Sequence, residues 1–203
     1  MSRLALLRTS DYRRGRWKND GGWTTEIARE PADSAADFVW RVSIADIESD
    51  GPFSSFPGID RDLVLLAGTG MELAIDDAEP VRIEGRFQQL RFRGEQSVEC
   101  RLLGGPTRDF NAMVRRDAMT AEVVARPLVG SMVIFAQVGT EWLIHVHAGH
   151  ATARDGQDEI ALAAEETLRI DFRTEGSGRV VIDGAGELVL AKFAPAASAS
   201  ENV

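Results

Sequence analysis

The chain has 203 residues, a formal net charge of −9 and 44% hydrophobic residues, which is ordinary for a folded domain and excludes an intrinsically disordered chain. No apolar run approaches the length of a membrane-spanning helix, and the single cysteine excludes an intrachain disulfide or a cysteine-rich zinc site. The acidic balance argues against a general nucleic-acid binder, which needs a basic face. We therefore expect a cytoplasmic protein with no direct nucleic-acid or membrane partner.

Apolar and polar residues alternate along much of the chain, and this is the pattern of half-buried strands. Its strongest instances predict strands over residues 38–46, 97–103 and 167–173. Further strands are predicted over 23–29, 62–66, 71–75, 80–84, 87–92, 112–116, 121–126, 131–138, 142–147, 178–183 and 187–193. Glycine and aspartate turn signals separate them, which predicts an all-β fold of antiparallel sheets. The best helix candidate is the Ala/Glu-rich stretch 158–166, with one or two turns.

Two stretches in the first third of the chain carry groups suited to binding. WKNDGGWTTE, residues 17–26, packs two Trp, a Lys and an Asn around an Asp-Gly turn, and is either a plain hairpin or a binding loop. In the strand 38–46, Arg41 and Ser43 share the face opposite Phe38, Trp40, Val42 and Ile44. That polar face is either solvated or lines the lumen of a closed sheet, where an arginine would await an anion.

Two later stretches are irregular and polar. GPFSSFPGIDR, residues 51–61, is an aromatic loop that ends at Arg61. GGPTRDFN, residues 104–111, turns sharply and then places Asp109 and Asn111 on either side of Phe110. Both stretches are consistent with a pocket mouth, and also with simple loop packing and turn capping.

The three histidines, His145, His147 and His150, all lie in one short stretch. In a strand, His145 and His147 share one face, which is how some metal sites on barrels begin. Asp155, Asp158 and Glu159 follow closely, but residues 1–144 contain no histidine. These residues leave a metal site at His145 and His147 open as a minor alternative.

Three segments together carry a family resemblance. WKNDGGWTTEIA, FVWRVSIADIESDGPFSSFPGIDR and LLGGPTRDFNAMVRR resemble, in order and spacing, the signature segments of the HutD family, also called the Ves family, over roughly residues 5–190. One position departs from the pattern, because Asp20 stands where a glycine is usual. Aspartate tolerates left-handed backbone geometry, so we expect the turn to survive.

The resemblance implies a cupin-type fold, commonly a bicupin of two antiparallel β-barrel or jelly-roll lobes with little helix. We expect an N-terminal lobe over 1–118 that carries the pocket, a C-terminal lobe over 119–193, and a flexible tail over 194–203. Strands are free to exchange between the lobes, and a homodimer is left open. The resemblance also implies a non-catalytic regulator of bacterial histidine utilisation, without cofactor, that binds a small carboxylate such as urocanate or a formylated acid.

A cupin lobe without metal ligands is suited to holding an organic acid, so the resemblance shifts our interpretation of Arg41 and Ser43 towards the lumen. We predict that Arg61 and Arg41 pair with the carboxylate, with Lys18 as a supporting cation. The remaining predicted ligand contacts are hydrogen bonds from Asn19, Ser43 and Asn111, and aromatic walls from Trp17, Phe53 and Phe56. Two alternatives stay open: a metal-dependent cupin enzyme that uses His145 and His147, and a protein-interaction module without a small ligand.

Overall fold

The computed structural model describes residues 3–33, 37–174 and 178–197. Across these residues it contains sixteen strands, and the one helical segment among them is a 3₁₀ turn at Thr9–Asp11. The all-β prediction is therefore confirmed. The strands are β1 (Leu4–Leu7), β2 (Arg13–Arg16), β3 (Gly22–Glu30), β4 (Trp40–Ile47), β5 (Gly51–Pro52), β6 (Ile59–Ala67), β7 (Met71–Ile75), β8 (Val81–Ile83), β9 (Gln89–Arg93), β10 (Val98–Leu102), β11 (Thr107–Arg115), β12 (Met119–Phe135), β13 (Thr140–Asp155), β14 (Asp158–Ala163), β15 (Thr167–Phe172) and β16 (Arg179–Pro195).

Three antiparallel sheets contain all of these strands. The first sheet has the order β2-β3-β4-β11-β6-β9 and the second has the order β5-β10-β7-β8. The third has the order β1-β15-β13-β16-β12, with β14 paired to β13. The first strand of the chain thus joins a sheet whose other strands all come from residues 119–195, because Leu4 lies opposite Ile170. In the described part of the chain, no helix reaches the length and hydropathy that a bilayer crossing requires.

Alternation along β4 decides which layer each of its residues contacts. Trp40, Val42 and Ile44 are buried in a core shared with the third sheet, where Trp40 stacks on Phe193 at 4.8 Å between ring centroids. Ala45 and Ile47 lie on the opposite face of β4, which also carries Arg41 and Ser43, and they pack into a core shared with the second sheet. The first sheet is therefore covered on both faces, so the polar residues on its second face are not simply solvated.

In two places, a pair of strands that was predicted separately forms a single continuous strand. The stretches 121–126 and 131–138 both belong to β12, and 178–183 and 187–193 both belong to β16. The two strands pair without interruption from Met119 opposite Pro195 to Phe135 opposite Arg179. A Cβ on Gly184 would lie 2.3 Å from the His150 carbonyl oxygen, so this glycine allows a close strand approach instead of ending the strand.

The predicted helix over 158–166 is wrong. Residues Asp158–Ala163 form β14, which pairs with β13, and the chain then turns at Glu165 with φ +69°. Leu162 is buried in the third sheet's core, and pairing to β13 outweighs the helix propensity of a short Ala/Glu run. The strands β1, β2, β5 and β14 have no counterpart among the predicted ones.

Two boundaries also differ from expectation. The strand β11 begins at Thr107, so the last five of the eight residues of GGPTRDFN are strand and not turn. Ala194 and Pro195, expected in the tail, pair with Thr120 and Met119. Residues 198–203 of the expected tail lie outside the described residues.

Candidate functional site

A cavity of about 470 Å³ opens on the face of the first sheet that carries Arg41 and Ser43. All nine residues predicted from the sequence to contact a ligand line it: Trp17, Lys18, Asn19, Arg41, Ser43, Phe53, Phe56, Arg61 and Asn111. The other lining residues, which were not predicted as ligand contacts, are Arg16, Thr24, Ala45, Ile47, Pro52, Ser54, Asp109 and Met113. The structure thus brings the predicted residues together, and their binding of a ligand stays a prediction.

Strand register explains why residues distant in sequence meet here. Met113 on β11 lies opposite Arg41 on β4 and opposite Arg61 on β6. One step along the same face, Asn111 lies opposite Ser43. Because side chains two apart on a strand share a face, these residues form one polar patch on the floor of the cavity.

Arg61 is the most deeply buried cation of the cavity, with 8% of its surface exposed. Its Nη2 donates to Asn111 Oδ1 at 3.0 Å, and its guanidinium carbon lies 4.8 Å from the centroid of the Phe92 ring and 5.4 Å from that of Phe53. Among the described residues no carboxylate oxygen lies within 4.0 Å of it. Burial lowers the pKa of Arg61 to about 10, so the side chain is still charged at neutral pH.

Arg41, in contrast, already has an acidic partner. Its Nε donates to Glu26 Oε2 at 2.7 Å, and Arg29 also pairs with Glu26. Burial opposes ionisation of Glu26, but hydrogen bonds from Arg29 and Arg41 outweigh it and hold the pKa of Glu26 below its usual value. Arg41 therefore has a carboxylate in direct contact, whereas Arg61 has none and is linked to Asp109 only through Asn111.

Asp109 is the acidic residue that lines the cavity, and it was not among the predicted ligand contacts. It is fully buried, and its Oδ1 accepts a 2.5 Å hydrogen bond from Asn111 Nδ2. Its Oδ2 is buried and has no hydrogen-bond partner in the described structure. Burial raises the pKa of Asp109 to about 7, against the hydrogen bond from Asn111 and the charge of Arg61. The alternation of Asp109, Phe110 and Asn111 was the signal that these carboxyl and amide groups share a face.

The rim of the cavity is formed by the loop that contains Lys18 and Asn19, both of which are exposed. Asn19 Oδ1 accepts a hydrogen bond from the Gly21 backbone at 3.1 Å, which holds the turn. Asp20 adopts φ +55°, as expected for a residue that replaces a glycine there. Its carboxylate lies 3.4 Å from Arg16 and is mostly exposed, so it does not enter the cavity floor.

Trp17, Phe53 and Phe56 supply the aromatic wall of the cavity. The indole Nε1 of Trp17 donates to Thr24 Oγ1 at 2.8 Å, and its ring meets Phe53 edge to face with centroids 6.4 Å apart. These contacts hold the Trp17 side chain in place. The wall therefore offers flat apolar surface beside the buried guanidinium of Arg61.

The histidines lie elsewhere. Leu143 and Val189, neighbours of His145 on β13 and β16, belong to the core between the first and third sheets, and His145 itself is fully buried against Phe110 of the first sheet. His145, His147 and Glu165 place their ligand atoms within 4.8 Å of one another. The acidic member of this cluster is Glu165, and not one of the acidic residues that follow closely in sequence.

Comparison with known proteins finds a matching family and a relative that is similar over most of the chain. The family model described as HutD matches residues 9–190. An uncharacterized 21.2 kDa protein in the hutC 3' region of Pseudomonas putida is 37% identical over 175 residues, which are 86% of this chain and 90% of the relative.

Solved structures with similar folds and related sequences are also found. A conserved protein of unknown function from Pseudomonas aeruginosa PAO1 has a TM-score of 0.81 at 31% identity, with 95% of this chain and 98% of that one covered. HutD from Pseudomonas fluorescens SBW25, determined in a formate condition, has a TM-score of 0.78 at 32% identity with the same coverage. The fold is cupin-like, as in solved structures that share only 9% of their residues with this chain.

Proposed function

The chain belongs to the HutD family, and from this premise we propose that it is a regulator of bacterial histidine utilisation that binds a small carboxylate in the cavity around Arg61. The proposal includes the bicupin arrangement, with residues 1–118 as the lobe that holds the ligand and 119–193 as the second lobe. The first two sheets come from residues 13–115 and the third from 119–195 and β1, which supports this division.

The observation that carries the proposal is the buried charge of Arg61, which has no carboxylate in direct contact among the described residues. A charged group taken out of water is costly unless an opposite charge or several hydrogen bonds compensate it. The neutral amide oxygen of Asn111 is the acceptor for both recorded guanidinium hydrogen bonds, and the surrounding phenylalanine rings compensate only partly. An organic acid in the cavity would supply the missing negative charge, with a planar fork that matches the guanidinium.

The energetics require more than one contact. A hydrogen bond to a charged group contributes about 1.5–3 kcal/mol, whereas micromolar affinity requires about 8 kcal/mol. Arg61, Arg41 partly released from Glu26, and the exposed Lys18 at the rim would each contribute binding free energy to the carboxylate. The flat walls of Trp17 and Phe53 would add apolar contact for an unsaturated or planar ligand.

Asp109 favours an acid that also carries an N–H group. Its buried Oδ2 lacks a donor in the described structure, and a ligand N–H would satisfy it. Urocanate and formylated amino acids have both a carboxylate and an N–H, whereas formate has only the former. A cavity of about 470 Å³ lies within the usual range for small-molecule sites, so it has room for the larger acids.

The link to histidine utilisation rests on relatives, one of which is named for its place beside hutC. Binding alone regulates nothing unless it changes a state or the free concentration of a metabolite. We propose the second route, in which the protein sequesters the acid. The acidic net charge of −9 is consistent with an effect on transcription that does not involve DNA contact.

Isothermal titration of the full chain with urocanate, formylglutamate and formate tests the proposal. Arg61→Met keeps most of the side-chain volume and removes the charge, and we expect it to weaken binding of the acids tenfold or more, from the loss of about 1.5–3 kcal/mol. Arg61→Lys keeps the charge without the fork and should be intermediate. Arg101→Met, an exposed arginine on β10 outside the cavity, is the matched control and should bind as the wild type.

Two outcomes would overturn this function. Equal affinity in Arg61→Met and the wild type, with both folded by circular dichroism, would show that the site is elsewhere. Failure of all three acids to bind would instead favour an interaction module without a small ligand. NMR spectra of the acids after incubation separate binding from turnover, since a regulator returns them unchanged.

A further inference from the structure

A second cluster of chemically reactive side chains lies outside the cavity, between the first and third sheets. It consists of His145 and His147 on β13 and Glu165 in the turn before β15. The three side chains offer two imidazole nitrogens and a carboxylate oxygen within 4.8 Å of one another. This set of two nitrogens and one oxygen is typical of zinc and similar divalent transition metals.

One ring nitrogen of His145 has no hydrogen-bond partner among the described residues. His145 Nδ1 lies 3.0 Å from Thr167 Oγ1, while Nε2 is buried without a hydrogen bond in the described structure. His145 is fully buried, so Nε2 has no contact with bulk solvent. A buried histidine with one nitrogen anchored and the other unpaired has the arrangement that metal-bound histidines show.

A hydrogen-bond chain defines the proton positions on His145. Tyr12 Oη donates to the Glu165 carbonyl at 2.9 Å and lies 2.8 Å from Thr167 Oγ1. When the single Tyr12 proton goes to the shorter of its two carbonyl contacts, Glu165, the Thr167 hydroxyl donates to Tyr12 and accepts from Nδ1–H of His145. That proton order leaves a lone pair on Nε2 of His145, which is the form that binds a metal.

His147 and Glu165, the other two members of the cluster, lie close to each other. Nδ1 of His147 is buried without a hydrogen bond and lies 3.6 Å from Glu165 Oε1. Ligand atoms of a tetrahedral zinc lie about 3.4 Å apart for bonds of about 2.0–2.2 Å, so this pair already has nearly the required spacing. Glu165 holds φ +69°, a backbone conformation that non-glycine residues rarely adopt and that recurs at functional sites.

Nearby arginines both oppose and assist a cation. Arg108 donates to Glu165 Oε2 at 2.7 Å, which leaves Oε1 directed to His147. Arg86 also lies close enough to disfavour positive charge at His147, but it is paired with Glu187. Asp46 lies 3.6 Å from Arg108 and offsets its charge. The guanidinium of Arg108 therefore orients the Glu165 carboxylate while its own charge is shared.

We propose that His145 Nε2, His147 Nδ1 and Glu165 Oε1 form a binding site for one divalent transition-metal ion of the zinc class. The ion would join the middle of β13 to the turn before β15, at the contact with the first sheet. Since His147 and Glu165 are only partly buried, solvent can reach the fourth coordination position. This site is separate from the carboxylate cavity and does not depend on its ligand.

Zinc titration of the untagged full chain after chelator treatment tests this proposal. We expect one equivalent of ZnCl₂ to bind and to raise the melting temperature, and Co²⁺ to give the visible absorption of a tetrahedral site. His147→Gln and Glu165→Gln should each weaken zinc binding at least tenfold. His150→Gln changes the exposed third histidine on the same strand and should bind as the wild type.

Absence of saturable zinc binding tighter than about 0.1 mM would overturn the proposal. Equal loss in His150→Gln and His147→Gln would also overturn it, because it would indicate exposed histidines as the ligands. If His147→Gln does not fold, Glu165→Gln decides the matter, since Glu165 lies in a turn and is partly exposed.

Discussion

The buried carboxyl of Asp109 makes a strong prediction about pH and stability. Asp109 has no exposed surface, and burial raises its pKa from 3.8 to about 7. Asparagine at this position has the same shape, can still accept a hydrogen bond from Asn111, and does not titrate. Asp109→Asn therefore removes one proton-linked contribution to folding and leaves the packing in place.

The sign of the effect follows from where the proton is held. Between pH 3.8 and about 7 the folded protein keeps a proton on Asp109 that the unfolded chain has released. The free energy of unfolding of the wild type therefore falls as pH rises through this range, and this contribution levels off above pH 7. The difference between the two pKa values corresponds to about 4 kcal/mol in total, at about 1.4 kcal/mol for each pH unit.

Asparagine also introduces an NH₂ group where Oδ2 lies, and an unpaired buried donor costs about 1–3 kcal/mol at every pH. We therefore expect Asp109→Asn to be no more stable than the wild type near pH 4.5 and more stable at pH 8. The difference in unfolding free energy should rise by several kcal/mol between these values.

Urea unfolding followed by tryptophan fluorescence, at pH steps from 4.5 to 9, measures this difference. Asp117→Asn makes the same chemical change at a side chain that is 77% exposed, and its stability should follow the wild-type profile. Parallel profiles for Asp109→Asn and the wild type would refute the reasoning, because they would show that Asp109 titrates alike in the folded and unfolded chain.

Two further substitutions test the contacts around each site. Glu26→Gln releases Arg41 from its carboxylate partner, so formate should bind about fivefold tighter, which corresponds to about 1 kcal/mol. Isothermal titration measures this change, and weaker binding would show that Glu26 orients Arg41 for the ligand. Tyr12→Phe removes the hydroxyl that contacts the Glu165 carbonyl and Thr167, so it should lower the free energy of unfolding by about 1–2 kcal/mol. Urea unfolding measures this loss, and an unchanged urea midpoint would mean that water replaces the hydroxyl.

The faces of the strands were predictable because alternation is local. Trp40, Val42 and Ile44 repeat every two residues, and this repeat alone separates them from Arg41 and Ser43 whatever surrounds the strand. The same pattern predicted most strand positions and the all-β class. The wrong prediction over 158–166 came instead from the helix propensity of its Ala and Glu residues, which pairing with β13 outweighs.

Alternation alone did not decide which residues line the cavity. Whether Arg41 and Ser43 meet solvent or a lumen depends on what covers the first sheet, and the residues alone left this open. The family resemblance favoured the lumen, and the register of β4, β11 and β6 brings Arg41 and Arg61 to opposite sides of Met113. The resemblance grouped the nine lining residues, but it assigned no role to Asp109.

The amino-acid sequence by itself determined the strand periodicity, the all-β class and the residue types available for binding an acid, since these depend on neighbours a few positions apart. The tertiary structure alone decided that Arg41 is paired with Glu26 while Arg61 is not, and that Asp109 is buried. It alone brought Glu165 to the histidines. Charge pairing and burial depend on distances between groups that are far apart along the chain, and only the packing of the three sheets sets those distances.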